Sequence, residues 1–213
     1  MVNPNLSALI EHLKETRGKN WQKHQSFLRQ LLLLVAQGTP VSPDSIATTL
    51  GLRTEMVYQR LEPLRAYGCE FDANGNLVGA ILTQSPTPHR FRLAGHDLYA
   101  WCALDTLFLP ALLQQSAEVR SLCPVTRREI MLIVTPEKVE VCDPPEAVVS
   151  VVTMECHAPG PRGDFCGQIF FFASQEDAAT WIGDRNGIEV VTIADAFMLA
   201  HAVYVEDDSI ASI

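Results

Sequence analysis

Leu6, Leu9, Ile10 and Leu13 recur at the spacing of one helical face up to Gly18, and a second such face runs through Phe27, Leu28, Leu31, Leu32 and Val35 before Gly38 stops it. Ser42 is suited to cap a third helix with Pro43 at its first position. Ile46, Ala47 and Leu50 then form an apolar side, Gly51 turns the chain, and Thr54 is placed to cap a fourth helix that ends near Gly68. Two short helices about such a turn make a helix-turn-helix pattern. In CEFDANGNLVGAIL, Asn74-Gly75 offers a tight turn between two short strands, which would make the module winged. The pattern thus predicts a winged-helix-like N-terminal module over 1–84, with its boundary at the proline-bearing stretch Ser85–Pro88.

From 85 to 213 the pattern becomes mixed α and β. Asp97 is placed to cap a helix that carries Cys102, and Pro110 should end or kink it. The segment Glu129–Val141, the run AVVSVVT and FCGQIFFFA (Phe165–Ala173) read as strands from their β-branched and aromatic content. Ser174 opens SQED, a capping box for a helix through Trp181, and Ile193–Val203 reads as the last helix. The fold class expected is α+β: a winged-helix-like helical module followed by a mixed α/β catalytic domain built on a β-sheet core. The acidic residues Glu206–Asp208 read as a solvated tail.

Composition narrows the function classes. With 213 residues and 47% apolar content the chain can bury a substantial core. A net charge of -9 argues against gripping phosphate backbones as the main task, so nucleic acid is not an expected partner. No basic and apolar leader opens the sequence, and its most apolar stretch is interrupted by Asp105 and Pro110, so we expect a cytoplasmic protein that does not engage membranes. The six cysteines (Cys69, Cys102, Cys123, Cys142, Cys156, Cys166) follow no CxxC spacing and read as separate reduced thiols.

The chemistry concentrates between Leu98 and Ala117, where LYAWCALDTLFLPALLQQSA holds Asp105 as its one formal charge, three residues after Cys102. On a helix, residues three apart face the same side, so the thiol and the acid can address one small object. Burial raises the pKa of an aspartate, which suits Asp105 to take a proton from a thiol and return it. Thiolates favour soft metals, and Cys166, opening an uncharged strand, is the natural second sulfur. Taken alone, each of these residues has an ordinary reading as packed core.

HDLYAWCALDTLFLPALL, GDFCGQIFFFAS and GNLVGAILTQSPTPHRF together resemble the bacterial organomercurial lyase, or alkylmercury lyase, family, as do CPVT around Cys123 and IADAF near the end. The resemblance implies protonolysis of a carbon–mercury bond to a hydrocarbon and Hg(II). It puts the two catalytic cysteines at Cys102 and Cys166 and the catalytic acid at Asp105, with the product Hg(II) held by both sulfurs and a carboxylate oxygen. It implies no resident cofactor, an external thiol to release Hg(II), and mercuric reductase as its acceptor. Trp101 can pack against the substrate or belong to the core. Cys123 matches a recurrent family cysteine read as structural, and His89 in PTPHRF is read as making an orienting hydrogen bond in a loop. Some relatives carry a second cysteine where this chain has Gly167.

A competing class is a thiol-based metal-sensing transcription regulator that uses the winged helix on DNA. Arg60 and Arg65 support it, while Glu55 and Glu62 on the same helix and the acidic balance oppose it.

Overall fold

The computed structural model describes residues 4–65, 68–153 and 163–205. The first apolar faces form α1 (Pro4–Leu13) and α2 (Lys19–Val35), joined without a break by a π-helical turn, Lys14–Gly18. The helix-turn-helix pattern appears as α3 (Pro43–Leu50) and α4 (Thr54–Leu61). Ser42 caps α3 by accepting from the Ser45 amide, and Gly51 turns the chain at φ 63°, a left-handed conformation open to glycine at little cost.

Two expectations for α4 fail. Thr54 is its first residue and not its cap; the hydroxyl instead donates to Asp44 Oδ1 at 2.8 Å, which ties the start of α4 to α3. The helix also stops short of Gly68, because Pro63 has no amide to continue the ladder and Glu62–Leu64 tighten into a 3₁₀ turn.

The expected hairpin forms as β1 (Glu70–Phe71) and β2 (Leu77–Ala80), with Asp72 Oδ1 accepting from the amides of Asn74 and Asn76 across the turn. These are the first strands of an eight-stranded antiparallel sheet. It continues through β3 (Leu82–Thr83), β4 (His89–Leu93), β5 (His96–Ala100), β6 (Ala117–Leu122), β7 (Glu129–Val134) and β8 (Val139–Asp143) in the order β1-β2-β3-β5-β4-β6-β7-β8. Between β3 and β4 the proline-bearing stretch is held against the sheet, since the Thr87 hydroxyl donates to the Ala100 carbonyl at 2.6 Å. The single strand expected over Glu129–Val141 is a β7–β8 hairpin, turned where the Thr135 amide donates to the Lys138 carbonyl.

A second, three-stranded antiparallel sheet is built from β9 (Val148–Val152), β10 (Phe171–Phe172) and β11 (Ile188–Thr192) in the order β10-β9-β11. The remaining helices are α5 (Asp105–Leu113), α6 (Gly163–Cys166), α7 (Gln175–Ile182) and α8 (Ile193–Tyr204). Ser174 caps α7 by accepting from the Asp177 amide, as the SQED pattern predicts. All nine residues of α5 are buried, and the helix continues past Pro110 to Leu113. A helix apolar all round belongs in an interior. Here it lies between α2 and α8, and the site begins at its N-terminus. Among the described residues, no helix is long and apolar enough to cross a membrane.

Candidate active site

Cys102 stands on a turn between β5 and α5, not on a helix. The first part of the helix expected from an Asp97 cap toward Pro110 is instead strand β5, in which Asp97 is exposed and 3.7 Å from Arg90 and caps nothing. The ladder β5 makes with both β3 and β4 outweighs the local cap signal. Cys102 and Asp105 are nevertheless neighbours, for a different reason than helical spacing. Asp105 opens α5 and its Oδ2 reaches back to accept from the Cys102 amide at 2.9 Å, while the Thr106 hydroxyl donates to the Ala103 carbonyl at 2.7 Å.

Cys166 does not open a strand either. It ends the one-turn helix α6, and the strand expected over Phe165–Ala173 shrinks to Phe171–Phe172. After Gly167 the chain turns twice, with the Gln168 amide donating to the Phe165 carbonyl at 3.2 Å and the Ile169 amide to the Cys166 carbonyl at 3.3 Å. Ser150 on β9 fastens the next residues, donating to the Gln168 carbonyl at 2.8 Å and accepting from the Phe170 amide at 2.9 Å. One further bond, from the Ala103 amide to the Ile169 carbonyl at 3.2 Å, sutures this arm to the Cys102 turn.

The result is convergence: Cys102 Sγ, Cys166 Sγ and a carboxylate oxygen of Asp105 all lie within 4.8 Å of one another. Cys102 and Asp105 are buried and Cys166 is half-buried, which makes Cys166 the more accessible of the two thiols. Two sulfurs and one oxygen at such separations can hold a soft, low-coordinate cation.

Electrostatics distinguishes the three. Burial pushes the Asp105 carboxyl up to about 7, against the opposing effect of its hydrogen bonds from the Cys102 side chain and amide. A helix N-terminus also favours the carboxylate, so desolvation outweighs every local stabilisation of the charge. Burial likewise pushes the Cys102 thiol well above 9.0, helped by its hydrogen bond with Cys166 and the charge of Asp105. Cys102 therefore rests as a neutral thiol beside a carboxyl poised near neutrality.

Around these groups stands an aromatic wall that the sequence did not single out. Tyr204, at the end of α8, stacks on Phe108 of α5 with ring centroids 4.6 Å apart, and Trp21 of α2 meets both rings edge-on at 5.8 and 6.3 Å. The Trp21 indole donates to the Tyr204 carbonyl at 3.1 Å. Burial pushes the Tyr204 phenol upward, and the charges of Asp105, Cys102 and Cys166 push the same way, with Arg17 opposing. The signal in the chain that hinted at this wall is slight: Tyr204 closes a mostly apolar last helix.

The remaining candidates lie elsewhere. Trp101 is buried in the main core, and its indole N–H has no hydrogen-bond partner among the described residues. His89 begins strand β4, not a loop; its Nδ1 lies 2.9 Å from Ser121 Oγ, its ring is flanked by Phe170 and Phe171, and burial lowers its pKa to about 3. Cys123 is buried and donates to Asp177 Oδ2 at 3.4 Å, on the first turn of α7. Cys156 lies outside the described residues.

The family model for alkylmercury lyase, MerB, matches residues 82–205. This chain belongs to the alkylmercury lyase family. It is 43% identical to the alkylmercury lyase of Pseudomonas putida over 178 residues, covering 84% of this chain and 81% of that protein. To the alkylmercury lyase of Staphylococcus epidermidis it is 38% identical over 196 residues, 92% of this chain and 89% of that one. Among solved structures, the mercury-bound form of MerB2 superposes with a TM-score of 0.75 at 26% identity, covering 95% of this chain and 98% of that one. The matched span runs from β3 to the end of α8 and contains all three converging groups.

Proposed function

We propose that this protein cleaves the carbon–mercury bond of alkyl- and arylmercury compounds by protonolysis, with Cys102, Cys166 and Asp105 as its catalytic residues. The observation that carries this reading is the meeting of two thiols and one carboxyl in the buried turn of an alkylmercury lyase family member. The more accessible Cys166 gives up its thiol proton to solvent, displaces the substrate's anionic ligand and forms a sulfur–mercury bond. Mercury then approaches Cys102, whose proton passes to Asp105 as the second sulfur bonds, because metal ligation and thiol deprotonation are coupled. With two sulfurs donating to mercury, electron density moves toward carbon. Asp105, now neutral, gives that proton to carbon; the carbon–mercury bond breaks with its electron pair forming the new carbon–hydrogen bond. Hydrocarbon leaves, Asp105 is again a carboxylate, and Hg(II) stays on the two sulfurs beside the carboxylate oxygen.

A carboxyl near neutrality is suited to both halves of this transfer, since a general acid–base works best with its pKa close to the operating pH. The reaction uses no resident cofactor. An external pair of small thiols carries Hg(II) away to an acceptor such as mercuric reductase, and the cytoplasm is the compartment where such thiols stay reduced. The N-terminal helices serve as cover for this part of the molecule: Leu6, Leu9 and Leu13 of α1 are buried where that helix packs on α8.

The test is hydrocarbon release. Purified protein with excess small thiol should liberate methane from methylmercury and benzene from phenylmercury, and Cys102→Ser or Cys166→Ser should nearly abolish it. Release at the unaltered rate by either variant would remove that cysteine from the mechanism.

A further inference from the structure

Arg17 sits in the π-helical turn between α1 and α2, and its guanidinium carbon lies 4.2 Å from the centroid of the Phe165 ring. Phe165 is buried and immediately precedes Cys166 in α6. A cation from the N-terminal helices, outside the span of the family model, therefore rests on the residue next to the one that carries the second thiol.

That arm needs a contact there. Helix α6 has four residues, too few to be stable alone. The bonds described for the arm, from Ser150 and from the Ala103 amide, all fasten it beyond Cys166. On the near side, Phe165 is packed into the buried core, with the Arg17 guanidinium covering its ring. A π turn inserts an extra residue into a helix and re-aims the side chains beside it. The charge of Arg17 also acts on the Tyr204 phenol, opposing the upward push of burial there.

We propose that Arg17 is a positioning residue for Cys166: by covering the Phe165 ring it holds the second thiol at the separation from Cys102 and Asp105 that a shared mercury atom requires. This rests on the function proposed above and extends it, because it makes the N-terminal helices part of the catalytic apparatus. Arg17 touches no reacting atom. Its loss should leave capture by Cys166 intact and make closure onto Cys102 rarer.

The experiment compares Arg17→Met, which keeps length without charge, with Arg17→Ala and Arg17→Lys in the full chain. Two readouts are taken: kcat and KM for benzene release from phenylmercury, and the rate of Cys166 alkylation by iodoacetamide, followed by peptide mass spectrometry with Cys142 as internal control. R17M and R17A should lower kcat about fivefold with KM within about twofold, and raise Cys166 alkylation about fivefold while Cys142 is unchanged, the size expected of a partly buried cation–π contact. R17K should retain most of both properties, since an ammonium also sits well over a ring. R17M matching the unaltered protein in both readouts would overturn the proposal, as would Cys166 and Cys142 changing together with a lowered Tm. If the unaltered protein releases no benzene, the proposed function fails, yet the alkylation comparison still decides whether Arg17 fixes the arm.

Discussion

Asp105 meets Cys102 twice, through the backbone amide and through the thiol. The amide bond fixes where the acid sits; in the proposed mechanism the thiol contact is where the proton moves. Asp105→Ala should thus separate two events that occur together in the unaltered protein. Mercury capture by the thiols should persist, while hydrocarbon release falls by about a hundredfold or more, the usual contribution of a placed general acid. The same residue gives a stability signature. Unfolded, its carboxyl titrates near 3.8, and folded, near about 7. Between those values the native state holds a proton that the unfolded chain has released, so stability is full at low pH, declines as pH rises through this window, and levels off above it. Asp105→Asn should abolish that decline and make the protein more stable than the unaltered chain at pH 8, by up to a few kcal/mol, measured as denaturant midpoints across pH. Cys123 is a contrast case. Cys123→Ala should cost about 1 to 2 kcal/mol of stability through lost packing and its bond to Asp177, with an unchanged rate of release.

At the scale of elements, what the sequence revealed depended on how local the cause was. The caps at Ser42 and Ser174, the turn at Gly51 and the Asp72–Asn76 hairpin are settled by residues a few positions apart, and all were legible. Ser174→Ala should cost about 1 kcal/mol by leaving the Asp177 amide unpaired, visible as a lower unfolding midpoint. Strand β5 was missed because its support comes from ladders on both sides, β3 and β4, while its own residues carry a plausible helix start. The opposite error occurred at Phe165–Ala173, where a β-rich run is broken early by the turns after Cys166 and by the buried Ser150 of a distant strand. The three residues that converge could be picked out from their motifs in spite of both errors. Arg17 and Tyr204 were not, since each matters only through partners distant in the sequence.

For the molecule as a whole, the continuous sheet has a mechanical meaning. Strands β1 and β2 pair into the same ladder as β3 to β8, and α1 packs on α8 across nearly the full length of the chain. A fragment spanning 85–213 would lose those strands and uncover the apolar faces of α5 and α8. It should fail to unfold cooperatively, as judged by the absence of a sigmoidal melting transition, whereas the full chain should show one. Charge acts at this scale too. With a net charge of -9, the full chain should give no salt-sensitive shift of duplex DNA at physiological ionic strength; a sequence-selective shift would instead favour a regulator.

The bond from Asp105 back to the Cys102 amide makes acid and first sulfur a single rigid cartridge of four consecutive residues. The other sulfur arrives on a separate limb, and a stack of rings from three helices, Tyr204 among them, stands within reach of its charge. Laboratory selection for bulkier organic groups should therefore leave the cartridge alone and accumulate its changes in that opposing limb and ring stack, where room can be made without detuning the proton donor.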